Sequence, residues 1–237
     1  MPSGDLDASG LADSGRLAHP GHLADPVHPI DSGHPIDPGH PKVRQILAGA
    51  RATFLECGYG GASVDEIARR ARVSKGTLYN YFPDKRRLFA AVVDEECREL
   101  SQRLFTIETD GESVEATLTR IATSFVRFVV SPFALGMYRI AVAESQRIPE
   151  VGRVFYASGP ELGTARLAAF LAAARERGEL VVEDADLAAC QFAELCRAEL
   201  FHKVLFGVIE APSGADIDRI AEAAVRLFLI AHGPKAR

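Results

Sequence analysis

The chain contains no tryptophan, only two methionines, and four cysteines in 237 residues. Cys57, Cys97, Cys190 and Cys196 form no C-x-x-C pair and have no histidine beside them, so neither a zinc site nor a disulfide framework is indicated. They read as reduced core thiols. No stretch reaches the roughly 20 apolar residues of a membrane span. The N-terminus lacks the basic start and apolar segment of a secretory signal. The expectation is a cytoplasmic protein with no membrane partner. Alternating apolar and polar runs that would demand a sheet are also scarce, which leaves an all-α fold. There is no nucleophile paired with a base, no glycine-rich phosphate loop and no metal-ligand cluster, so an enzyme is not expected, nor a metal or cofactor. His202 lies alone on a buried-looking helix and reads as a core histidine.

Positive charge is likewise in deficit, at a net −5, which argues against nucleic acid until the chain is divided. Residues 1–41 carry one basic and six acidic residues, residues 42–90 ten and four, and residues 91–237 sixteen and twenty-two. A surplus of six positive charges is thus concentrated in one short segment, where a phosphate backbone would be attracted while the acidic remainder stays away from it.

The apolar share of 47% is ample for a buried core. Residues 1–41 are the exception. They are rich in Pro, Gly, His, Asp and Ser, repeat a His-Pro-Ile-Asp unit at His28 and His34, and hold His19, His22, His28, His34 and His40. This composition predicts a disordered, solvated arm rather than a metal site. Beyond it, helical periodicity predicts helices at about 42–57, 64–71, 75–81, 85–106, 113–131, 134–147, 149–177, 184–208 and 216–232. The expected stops are Gly58, Pro83, Gly111, Pro132, Pro149, Gly178 and the Pro212-Ser213-Gly214 turn.

The first helix has an apolar stripe of Val43, Ile46, Leu47, Ala50, Phe54 and Leu55. Ser63-Val64-Asp65-Glu66 reads as a capping box, with the Ser63 hydroxyl on the Glu66 amide and Glu66 reaching back. Arg72-Val73-Ser74 then connects tightly to a very short third helix capped by Ser74. Two short helices joined by about three residues have helix-turn-helix spacing. In the third helix Leu78 and Phe82 point inward, leaving Lys75, Thr77, Tyr79, Asn80 and Tyr81 for other faces, while Gly76 leaves the backbone open to a phosphate. Asp84 caps the fourth helix. Lys85-Arg86-Arg87 puts cations at its N-terminus, against the macrodipole, where a phosphate would offset the penalty.

The ordered series Thr53-Phe54, Gly58-Tyr59, Ser63 to Ala68, Val73 to Phe82 and Lys85 to Phe89 resembles the TetR-family DNA-binding domain. The resemblance implies an N-terminal three-helix DNA-binding domain over 42–90 and a larger ligand-binding and dimerisation domain over 91–237. It also implies a homodimer on a palindromic double-stranded operator. Ser63 and Lys75 are then expected at phosphate or the groove edge, Thr77 and Tyr79 against sugar-phosphate, and Lys85 on a phosphate. Asn80 and Tyr81 are expected near base edges, with packing beside Phe82 the alternative for Tyr81, and Ser74 and Gly76 complete the DNA-facing set. For Arg86 and Arg87 a phosphate contact and a solvated face both stay open.

In the larger domain, Arg139 to Glu150, Phe155-Tyr156 and Gly159-Pro160 resemble the C-terminal domain of AefR-like regulators. Arg139 and Glu144 are either a buried pair or ligand contacts. The helix from Leu187 to Phe206 is apolar around most of its circumference, with a polar stripe of Gln191, Glu194 and Arg197. The last helix carries a seam of Ile217, Ile220, Ala221, Ala224, Phe228 and Ala231. Together these two helices are expected to form a four-helix dimer contact, with an intramolecular core the alternative. Phe125, Phe128, Met137, Tyr138 and Phe155 are candidate walls of a mostly apolar pocket for an unknown small-molecule effector. The functional expectation is a repressor released from DNA by that effector through a tilt of the fourth helix. The competing reading is a regulator controlled by a protein partner or by its own concentration, and an enclosed pocket is what would discriminate the two.

Overall fold

The computed structural model describes residues 40–105 and 112–234, and every regular element among them is helical. Residues 1–39 of the expected arm lie outside the described residues. His40 and Pro41 instead start the first helix, α1 (Pro41–Gly61): the His40 ring Nδ1 accepts from the Lys42 amide at 3.2 Å, and Pro41 occupies the first turn, where its missing N–H is no loss. Gly58 does interrupt α1, with a φ of 68° that favours glycine, but the chain stays coiled to Gly61. The next helices, α2 (Val64–Arg70) and α3 (Lys75–Tyr81), are short. Each begins at a serine, Ser63 or Ser74, whose hydroxyl accepts from the amide three residues on.

Then follow α4 (Lys85–Phe105), α5 (Val114–Val129), α6 (Pro132–Ser145), α7 (Pro149–Tyr156), α8 (Leu162–Glu176), α9 (Ala185–Arg197), α10 (Leu200–Leu205) and α11 (Gly214–His232). Pro132 opens α6 rather than merely stopping α5, because Ser131 caps the new helix and proline suits its first position. The helix expected over 149–177 is three pieces: α7, a π-helical turn at Ala157–Glu161, and α8. Pro160 has no N–H to donate into a regular α ladder, and the wider turn forms around it. The helix expected over 184–208 breaks between Arg197 and Leu200, where Glu199 adopts a φ of 63°. No glycine or proline signals that break; Glu199 is held by Lys203 at 2.6 Å and by Arg219 of α11 at 2.9 Å.

Two apolar cores result. The head core joins α1, α2, α3 and the start of α4, and it extends into α6 and α7 through Phe133, Met137, Ile140 and Val151. The body core joins α5, α8, α9, α10 and α11. The boundary expected at residue 90 therefore falls inside α4, which runs from the head into the body without a linker. Ile217, Ile220, Ala221, Ala224 and Phe228 are buried within the chain's own body, as the intramolecular alternative required, whereas Ala231 is exposed. His202 is exposed rather than in the core, beside the rings of Phe201 and Phe206. Of the cysteines only Cys196 is fully buried; Cys57 and Cys190 are on the surface. Among the described residues no single helix is long and apolar enough to cross a membrane.

Candidate nucleic-acid interface and effector cavity

Ile67, Ala68, Ala71, Leu78 and Phe82 bury one side of the α2–α3 pair against α1 and α4. The tight connection is closed by the Val73 amide on the Ala68 carbonyl at 3.0 Å and requires Arg72 to take a φ of 53°. That packing fixes which side of α3 remains outside. Lys75, Gly76, Tyr79 and Asn80 are exposed, and Thr77 and Tyr81 are half-buried. Exposed Lys75, Gly76, Tyr79 and Asn80 share one side of α3, with Thr77 and Tyr81 at its flanks. A Cβ added at Gly76 would come no closer than 3.8 Å to another side chain, at Ser74 Oγ, so nothing within the chain demands glycine there.

The individual polar groups are partly engaged. Ser63 Oγ accepts from the Glu66 amide at 3.1 Å, and Ser74 Oγ accepts from the Thr77 amide at 3.0 Å and lies 2.8 Å from Thr77 Oγ1. Both serines are caps, with their hydroxyls at the surface. Lys75 pairs with Asp65 at 2.9 Å, which raises its pKa. The reciprocal half of the expected capping box does not form. Glu66 turns to Arg69 and Arg70, whose hydrogen bonds hold its carboxyl down to about 2. Charge-assisted bonds to two guanidinium groups are stronger than one to a neutral amide, and they win. Tyr81 sits 5.6 Å from the His40 ring, bringing the start of α1, with exposed Lys42 and Arg44, alongside the end of α3.

Lys85 departs most from expectation. Its ammonium donates to the carbonyls of Tyr59 at 2.8 Å and Ala62 at 3.1 Å and lies 4.5 Å over the Tyr59 ring, and burial lowers its pKa. It staples the end of α1 to the start of α4. Two of its three donors are thereby used. Asp84 caps α4 through the amides of Arg86 at 2.8 Å and Arg87 at 2.9 Å, and its carboxylate also meets the Arg86 guanidinium. The macrodipole penalty of the three cations is thus offset within the chain.

A partly open cavity of about 310 Å³ lies in the body. Phe125 and Phe128 of α5, Met137 and Tyr138 of α6 and Phe155 of α7 all line it. These are the five residues that the sequence put forward as pocket walls. Val93, Cys97 and Leu100 of α4, the π turn at Gly159 and Pro160, and Arg197 and Phe201 from either side of the Glu199 break close the rest. Tyr138 meets Phe155 and Phe201 edge to face at 6.2 and 5.3 Å. Burial pushes the Cys97 thiol up to about 12, so it is a wall rather than a nucleophile.

Two polar side chains of α6 lie outside this cavity. Arg139 is not paired with Glu144; it donates to the Val204 and Leu205 carbonyls of α10 at 3.3 and 2.6 Å. Glu144 accepts from the Gly60 amide at 3.2 Å and from Arg147 at 2.6 Å. Higher on α6, Phe133 lies under Arg51 of α1 at 4.4 Å. Helix α6 therefore touches cavity, body and head at once. Sequence reasoning missed this role, and also Arg197 and Phe201 in the cavity. Their i, i+4 spacing hinted at a common face, but Arg197 read as part of a polar stripe.

Comparison with known proteins follows the same division. Residues 46–92 match the bacterial regulatory proteins of the tetR family, and residues 116–234 match the AefR-like transcriptional repressor C-terminal domain. The chain belongs to the TetR family of transcriptional regulators. It is 36% identical to the flavonoid-responsive regulator FrrA, superposing with a TM-score of 0.68 over 82% of this chain and 98% of that one. A TetR-family structure from Mesorhizobium loti MAFF303099 is 29% identical, with a TM-score of 0.72 over 81% and 96% of the two chains. The HTH-type transcriptional repressor SCO4008 of Streptomyces coelicolor is 30% identical over 123 residues, 52% of each chain. The first curated relatives are matched over only about a quarter to a half of their length.

Proposed function

We propose that the chain is a sequence-specific repressor that binds a palindromic operator as a homodimer and is released when a small molecule occupies the body cavity. The observation that carries this reading is continuity. Helix α4 begins beneath the DNA-facing strip at Lys85 and passes the cavity at Val93, Cys97 and Leu100, while α6 lines the same cavity and ends on the head at Gly60. A molecule that fits one placement of α4 and α6 better than another shifts the head by that difference in affinity. The cavity is partly open rather than enclosed, and its mostly apolar wall supports an effector over control by a protein partner alone. The name of FrrA, a flavonoid-responsive regulator, supports a flat aromatic effector.

Within the head, Ser63, Ser74, Lys75, Thr77 and Tyr79 would contact sugar and phosphate, Gly76 would let the backbone approach, and Asn80 and Tyr81 would lie at base edges. Lys85 would hold the head's shape with two donors and offer the third to a phosphate. Dimerisation would use the outer faces of α9 and α11. Leu227 is 52% exposed and Ile230 76% exposed there, beside exposed Leu187 and Gln191. Such apolar side chains in one region are what an interface covers.

The test is a titration of the protein against the DNA upstream of its own coding sequence and against a scrambled duplex at fixed salt. The expected result is tight, salt-sensitive binding to the first and weak binding to the second. Equal and weak binding to both, followed by unbiased selection that enriches no motif, would sink the reading.

A further inference from the structure

The cavity wall is mostly apolar, and the two charged side chains that line it, Glu194 and Arg197, lie together near the end of α9. There Arg197 stands in the final turn, with its guanidinium 5.8 Å from the Phe125 ring centre and 5.7 Å from that of Phe201. One terminal nitrogen pairs with Glu194, itself mostly exposed. Its Nε is buried and has no hydrogen-bond partner, the one such side-chain atom among the described residues. A guanidinium donor buried without an acceptor is costly, and such a group calls for a specific explanation. The helix break beside it adds a second mark of strain, since Glu199, at φ 63° and ψ −65°, sits in a γ-turn closed by the Leu200 amide on the Ala198 carbonyl at 2.7 Å. The break turns α10 so that Arg197 and Phe201 both face the cavity.

We propose that Arg197 is the polar anchor of the cavity and that the effector is an aromatic carboxylate, its ring held between Phe125, Tyr138 and Phe201 and its carboxylate on the Nε edge of the guanidinium. This rests on the reading of the cavity as an effector site. The chemistry selects the class: the planar fork of an arginine matches two carboxylate oxygens, and the faces of Phe125 and Phe201 at 5.8 and 5.7 Å help hold the guanidinium in place. An aromatic hydrocarbon would fill the same volume and leave Nε without an acceptor, and a neutral oxygen would accept from it without balancing its charge.

The experiment is calorimetric titration of the full chain with 2-naphthoate and with uncharged 2-methylnaphthalene, in the wild type, Arg197→Met, Arg197→Lys and Glu194→Gln. Thermal melts check that each variant folds. The wild type is expected to prefer naphthoate by on the order of tenfold or more. Arg197→Met should abolish that preference while still binding methylnaphthalene, and Arg197→Lys should restore it only in part. Glu194→Gln, which removes the competing carboxylate that lines the cavity beside Arg197, should tighten naphthoate alone. If both probes bind wild type equally, or the preference survives in Arg197→Met, the anchor is overturned and the effector cavity stands. If neither probe binds, the effector reading of the cavity falls together with the anchor.

Discussion

Head and body are built from the same material, amphipathic helices with buried rings such as Phe192 and Phe228 at 5.1 Å in the body, and they differ beside the cavity. In the head, Phe54, Tyr59 and Phe89 meet one another at 5.3 to 5.9 Å and fill the centre. In the body, Phe125, Tyr138, Phe155 and Phe201 stand around a cavity instead of closing it. The head thus carries α3 on a filled core, while the body leaves room beside α4 and α6.

The sharpest way to break the comparison is to remove a ring from each region. Phe54→Ala should cost about 3–5 kcal/mol in urea unfolding, because a fully buried ring leaves a hole that stacked neighbours cannot fill. Phe125→Ala, at a half-buried ring on an existing cavity, should cost about 2 kcal/mol or less. Equal costs would mean that the body is packed as tightly as the head.

Lys85→Ala should destabilise the head by about 1–3 kcal/mol, since it removes two charge-assisted bonds from the end of α1. Its loss of DNA affinity would then partly report a loosened head; an unchanged melting curve would assign Lys85 to phosphate alone. Glu144→Ala cuts one polar contact between the regions, which Phe133, Met137 and α4 also join. It should cost about 1 kcal/mol and speed hydrogen exchange of the Gly60 amide, and unaltered exchange would show that the head is held to α6 elsewhere.

Gly76→Ala separates folding from binding within the head. It should raise stability by a few tenths to about 1 kcal/mol, because the site has room for a methyl group on a helix, yet weaken DNA binding on the order of tenfold by keeping the duplex at a distance. A fall in stability would show that glycine serves the fold. The smallest effect is chemical: iodoacetamide should modify Cys57 in the native protein and spare Cys97 and Cys196, whose thiols burial pushes up to about 12. Equal labelling of all three would mean that the body core opens freely.

Local chemistry made much of this protein legible in its sequence. Ser63 and Ser74 set helix starts because a hydroxyl and an amide three residues apart need nothing else. The apolar spacing of α1 and the cluster Leu78 and Phe82 fixed the inward face of α3, and so its outward one. The five aromatic and methionine residues of α5 to α7 were identifiable as a group, although not as a ring around a cavity. What only the tertiary structure decided depends on partners distant in the chain. Lys85 goes to carbonyls of α1, Glu144 to the amide of Gly60, Glu199 to Arg219 across a helix break, and Arg197 to the cavity end. A polar side chain with several available partners takes whichever the packing brings within reach, and packing is a property of all the helices together.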